Sequence, residues 1–147
     1  MPRMRQIIVA SFDGVIGHQL LERRFGTIGG RSWQDWKVAE FETAFRQRPD
    51  WVLVAELAGD IVGIVSFRLD QQRLIGQIRN NGVDPRFQGQ GIGTRMYEHV
   101  LEIFRGTGMK FAEVTTGSDG AASRARRAYE KIGFRPISTS VRYFREL

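Results

Sequence analysis

The chain has 147 residues, 41% of them hydrophobic and 26% charged, which suits one compact domain spanning residues 1–147 and burying its own core. It has no cysteine, which excludes disulfides, zinc–thiolate sites and cysteine nucleophiles. Lys and Arg outnumber Asp and Glu by 22 to 16, a net charge of +6 that favours polyanionic partners without choosing between nucleic acid and a phosphate-rich small molecule.

Ile7 to Ala10 reads as a short strand, too brief for the core of a signal peptide. Ser11 or Asp13 is then placed to cap a helix through His18–Arg24 that Gly26 closes. Ser32 marks a second N-cap. Trp33, Trp36, Phe41, Ala44 and Phe45 share a face of the helix that follows, and Pro49 ends it. Trp51 to Leu57 and Ile61 to Leu69 form a hairpin around Ala58-Gly59-Asp60. Leu74 to Val83 is a third strand, with Gly76 and Gly82 as irregularities or close backbone approaches. A helix begins at Ile92, with Ile92, Met96, Val100 and Ile103 on one stripe, and stops at Gly106-Thr107-Gly108. Met109 to Thr116 is a strand and Ala121 to Lys131 a helix that Gly133 ends. Pro136 to Arg145 supplies one or two last strands. The order is that of a mixed α/β chain with a right-handed crossover. No apolar run reaches the roughly 18 residues that span a bilayer. The expected location is the cytoplasm.

The chemistry concentrates in Val83-Asp84-Pro85-Arg86-Phe87-Gln88-Gly89-Gln90-Gly91-Ile92-Gly93-Thr94, between a strand and a helix. Alternating glycines let the backbone turn tightly with its N–H groups inward. The helix start adds unpaired N–H groups and a positive dipole end, an anion site sized for a diphosphate. Other phosphate loops do not fit. A P-loop needs Lys-Ser/Thr after its last glycine, and here Thr94-Arg95 follows Gly93. A G-x-G-x-x-G fingerprint would put its third glycine at Thr94 or Met96.

Gln88-x-x-Gly91-x-Gly93 after Val83-x-Pro85 resembles the pyrophosphate motif of the GNAT superfamily of N-acetyltransferases. Ala125-Arg126-Arg127-Ala128-Tyr129-Glu130-Lys131-Ile132-Gly133-Phe134 resembles a second stretch of that family, and the likeness covers residues 50–147 best. The resemblance implies an α/β fold with a mixed, splayed sheet of six to seven strands flanked by about four helices. It implies acetyl-CoA as co-substrate and no metal. The pantetheine arm would pair with backbone near Val83, and the diphosphate would sit on N–H groups of Gln88, Gly89, Gln90, Gly91, Ile92, Gly93 and Thr94. Tyr129 would be the general acid for the departing thiolate. A phenol with pKa near ~10 is a proton donor at neutral pH, in agreement. The implied reaction is direct transfer of acetyl to a primary amine of a small molecule or peptide. The alternative is a non-catalytic module that binds acyl-CoA. A homodimer through terminal strands is a further expectation, and neither nucleic acid nor membrane is expected as a partner.

Two departures matter. The family's Asn seven residues before the tyrosine is Ala122 here, with Ser118 or Ser123 as substitutes. Leu74 to Val83 holds no carboxylate where relatives often keep a base, leaving Glu113, Asp119, a water relay through Asn80 or Asn81, or an amine delivered neutral. Trp33, Trp36, Phe41 and Phe45 read as core before acceptor pocket. His18 and His99 read as surface or packing groups. The Arg124, Arg126, Arg127 cluster reads as a solvated helix face before a contact to the adenosine 3′-phosphate.

Overall fold

The computed structural model describes residues 1–14 and 17–147. The chain opens with a helix, not the expected strand at Ile7 to Ala10: α1 runs Pro2–Phe12. Pro2 stands in its first turn, where a missing N–H costs nothing. Met4, Ile7 and Ile8 are buried, and their spacing of three and four is a helical stripe that a four-residue apolar run could not reveal. Helix α2 spans Gly17–Phe25 and α3 spans Trp33–Gln47. Ser11 lies inside α1, and Asp13 follows it and accepts a hydrogen bond from Gln19 Nε2 at 2.7 Å. The expected caps Ser11 and Asp13 thus stand four or more residues before Gly17, and residues 15–16 lie outside the described residues. Ser32 does cap α3, its hydroxyl accepting the Asp35 N–H at 3.1 Å.

Strands β1 (Val52–Leu57), β2 (Asp60–Asp70) and β3 (Ile75–Val83) form an antiparallel meander. Helix α4 (Ile92–Gly106) then crosses back to β4 (Phe111–Val114), which lies parallel to β3, and α5 (Ser123–Lys131) follows. The sheet has four strands in the order β1-β2-β3-β4. Five α-helices surround it among the described residues. The expected six to seven strands are thus corrected to four. Residues 136–145 adopt neither strand nor helix. Ile137, Val141 and Tyr143 of that stretch are exposed, so the alternating pattern there meets no sheet edge to bury against.

One core lies on each face of the sheet. Met4, Ile7, Ile8, Phe41 and Ile64 join α1 and α3 to one face. Val65, Phe67, Ile78, Met96, Val100 and Phe104 join α4 to the other. Ile64 and Val65 are neighbours in β2 that serve opposite cores, as alternation requires. Covered on both sides, β2 is buried from Val62 to Phe67. Fully buried groups such as Ile7, Ile8 and Phe41 contribute about 1.5–3 kcal/mol each by burial. Gly76 is a close approach of the kind expected, since a methyl there would overlap the Phe104 ring; at Gly82 it would overlap the Ser11 side chain.

Strand β3 carries a bulge. Val65 pairs with Asn81 and Phe67 with Ile78, so Arg79 and Asn80 face Ser66 alone. The Ser66 hydroxyl accepts the Asn80 N–H at 3.0 Å and donates to the Asn80 carbonyl at 3.3 Å, satisfying groups the interrupted ladder would leave unpaired. The extra residue reverses the alternation. Ile78 and Asn81, three apart, both reach the α4 face, while Asn80 reaches α3. Pairing with β4 ends at Ile78 and Val114, but β3 runs on to Val83. The two strands therefore part, as the splayed sheet predicts.

Candidate functional site

The site begins where β3 leaves the sheet. Asp84 is buried, and its carboxylate accepts from the Arg86 N–H at 2.9 Å, from the Arg86 guanidinium at 2.9 Å and from Arg3. The Arg86 hydrogen bond outweighs burial and holds this carboxyl well below the usual carboxylate range. Asp84 N–H also donates to Val62 carbonyl at 2.9 Å. The base of the following loop is thus fixed to α1 and β2 together.

In that loop Gly89 and Gly91 have φ of 78° and 79°, a region that costs any side chain with a Cβ about 1 kcal/mol or more. Gly91 is the residue before α4, and it carries no side chain to cap the helix. Among the described residues, no protein acceptor takes the N–H groups of Gly89, Gln90, Gly91, Ile92, Gly93 or Thr94, and the first bond of the helix is Arg95 N–H to Gly91 carbonyl. Donors left open in this way at a helix start are suited to an anion. Gln88 lies across its mouth: its Nε2 donates to Val83 carbonyl at 3.0 Å, and its Oε1 accepts from Arg124 at 2.5 Å. Val83, Gln88 and the loop to Thr94 are thereby brought together.

Tyr129, 5% exposed, stands on α5 beneath the parted strands. Its hydroxyl donates to Asn81 Oδ1 at 3.2 Å, and the Tyr97 hydroxyl donates to the same oxygen at 2.7 Å. The Asn81 Nδ2 donates to Arg79 carbonyl at 3.1 Å, which turns Oδ1 toward the phenols. Burial pushes the Tyr129 hydroxyl up from its ordinary range. Burial pushes Tyr97 up as well, with the neighbouring Tyr129 adding to it. Both are phenols, not phenolates, at neutral pH.

The base candidates are engaged elsewhere. Exposed Glu113 accepts from Gln77 Nε2 at 3.2 Å. Asp119 accepts the Ala122 N–H at 3.1 Å, and its backbone carbonyl accepts from Arg126. Asn80 Oδ1 accepts from Lys37 Nζ at 2.5 Å. Lys37 is buried, which pushes its amine down against the pull of Glu40. Of the arginine cluster, Arg124 and Arg126 bind protein groups and Arg127 is exposed. His99 lies 3.6 Å from Glu102 on the surface. Trp33, Phe41 and Phe45 pack inside, as expected of core. Trp36 with Trp33, His18, Glu22 and Arg31 lines a pocket that Phe144 borders. Reasoning from sequence missed Tyr97 and Lys37. A tyrosine between Met96 and Val100 on an apolar stripe needs a polar partner, and that was the signal for the first.

An open donor loop before a helix, beside two parallel strands that part, is the arrangement that the resemblance to N-acetyltransferases implies. The acetyltransferase (GNAT) family model matches residues 10–134, and the chain belongs to that family. It is 30% identical to the N-alpha-acetyltransferase RimI of Mycobacterium tuberculosis over 112 residues, covering 75% of this chain and 68% of that protein. It is 29% identical to a mycothiol acetyltransferase of Beutenbergia cavernae, spanning 78% of this chain but only 38% of that protein. The solved structure PH1933 from Pyrococcus horikoshii OT3 superposes with a TM-score of 0.73 at 23% identity, over 95% of this chain and 83% of that one.

Proposed function

We propose that the chain transfers an acetyl group from acetyl-CoA to a primary amine of a small molecule or peptide. The observation that carries this is the run of unpaired N–H groups from Gly89 to Thr94, opening beside the gap that ends over Tyr129. The loop suits a diphosphate because its open donors follow one another at a helix start and neither Gly89 nor Gly91 carries a Cβ. The co-substrate supplies an activated thioester. Gly89–Thr94 would hold its diphosphate, and the free backbone of β3 from Arg79 to Val83 would pair with its arm. Gln88 Nε2 and the Ser11 hydroxyl both donate to Val83 carbonyl, and one of them would give way to that arm. Tyr129 would protonate the departing thiolate, and its burial keeps the proton in place until then.

The amine must arrive without its proton. With Glu113, Asp119 and Asn80 engaged, the reading favours an acceptor that sheds its proton to solvent. The same engagement supports a second reading, a module that binds acyl-CoA and transfers nothing. One experiment separates the two. Amino acids, amino sugars and peptides with a free N-terminal amine are offered with acetyl-CoA, and free coenzyme A is measured. Release that depends on the amine is expected. Tight coenzyme A binding with no release from any amine leaves the module.

A further inference from the structure

Beneath the open half of β3, two buried hydroxyls share one acceptor. Tyr97 and Tyr129 both donate to Asn81 Oδ1, at 2.7 and 3.2 Å, and their rings lie 5.1 Å apart at 48°. Packing alone does not ask for this. Tyr97 sits on the α4 stripe with Met96, Val100 and Phe104, where a phenylalanine would fill the same space. A hydroxyl there must be paired to be tolerated. Asn81 also reaches this face only because of the bulge opposite Ser66. Two polar groups, Tyr97 and Asn81, are thus held at an apolar layer around the one whose proton the reaction needs.

Giving up that proton has a cost. Tyr129 is 5% exposed, and a buried phenolate is poorly solvated. Asn81 Oδ1, which accepts from the neutral phenol, would face the phenolate with its own partial negative charge. Among the described residues, the other hydroxyl at this junction is that of Tyr97.

We propose that Asn81 and Tyr97 are positioning residues for the acid. Asn81 aims the Tyr129 hydroxyl in the free enzyme, and Tyr97 turns its O–H from Asn81 to the Tyr129 oxygen as that oxygen loses its proton. The step balances. The C–S bond breaks, the Tyr129 proton goes to sulfur, and the charge rests on the phenolate under the Tyr97 hydrogen bond. The amine proton released on N–C bond formation returns through solvent to restore Tyr129. This inference rests on the acetyltransferase reading.

The test is a double-mutant cycle on kcat, with hydroxylamine as an acceptor small enough to need no shaped pocket. Tyr97→Phe, which keeps the ring, is expected to lower kcat on the order of 10-fold, the loss of one hydrogen bond to a charged group. Coenzyme A affinity by calorimetry should stay unchanged. In a Tyr129→Phe background the same substitution should cost under about 2-fold, because its target is gone. Asn81→Leu should show the same lack of additivity. Equal losses in both backgrounds, or no loss in the wild type, overturn the positioning pair while leaving the acid in place. An unchanged kcat in Tyr129→Phe sinks the acid and the pair together, and absence of turnover with every amine sinks the transferase reading first.

Discussion

The two halves of β3 differ sharply in their surroundings. From Ile75 to Ile78 the strand is paired on both edges, and the Phe104 ring closes directly on Gly76. Beyond Ile78 it is unpaired on the β4 edge, with the bulge at Arg79 and Asn80 and pairing to β2 alone from Asn81 to Val83, and Asn80 and Asn81 replace apolar side chains. The first half is built as a core strand, with nothing left over for a ligand. The second leaves backbone open and holds a polar cluster in place. Changes in the first half should therefore cost stability, and changes around the second should cost activity.

The largest expected effect is at the open half. Tyr129→Phe should lower turnover by about 10²–10⁴-fold, the usual contribution of a general acid, with coenzyme A affinity and melting midpoint nearly unchanged. An equal turnover under conditions where chemistry limits the rate would return Tyr129 to the packing it shares with Phe134. Next comes Gly91→Glu, which puts a Cβ at φ 79° and an anion against the donors. Coenzyme A affinity should fall at least about 100-fold; undiminished affinity in calorimetry would break the assignment of the loop.

The closed half should respond in the opposite currency. Gly76→Ala forces its methyl into Phe104 and should destabilise by about 1–3 kcal/mol, read as a lower denaturant midpoint, while coenzyme A binding of the folded protein is kept. A loss of binding without loss of stability would erase the distinction between the halves. The smallest effect is expected at Glu113, which pairs with Gln77. Glu113→Gln should change turnover less than about 3-fold, and the rising limb of the pH profile should move with the pKa of the amine offered. A loss on the order of 100-fold, with a limb that stays put, would make Glu113 the base.

The donor loop was legible because turn chemistry is local: its two turns take positive φ, and Gly89 and Gly91 supply it without a Cβ clash. Ser32 was legible for the same reason. The misread segments depend on distant partners. Ile7–Ala10 is apolar enough for a strand, and only packing against Phe41 and Ile64 makes it helix. The alternating residues after Pro136 read as strand, but β4 is four residues long and none of the described sheet extends to them. Asn81 was visible only as a relay candidate, because its face depends on a register shift that no local pattern encodes.

That shift has a consequence for how the chain tolerates changes in length. Residues before the bulge and residues after it keep opposite parity, so removing Arg79 together with the bulge would leave every face where it is, whereas closing the bulge with all residues kept would be a rotation. With an uninterrupted ladder, Asn80 would turn toward Tyr97 and Tyr129 and Asn81 toward Lys37. Val83, which now flanks Gly93 on the α4 side, would turn toward Ser11. The loop could keep every one of its glycines and still be entered from a strand facing the wrong way.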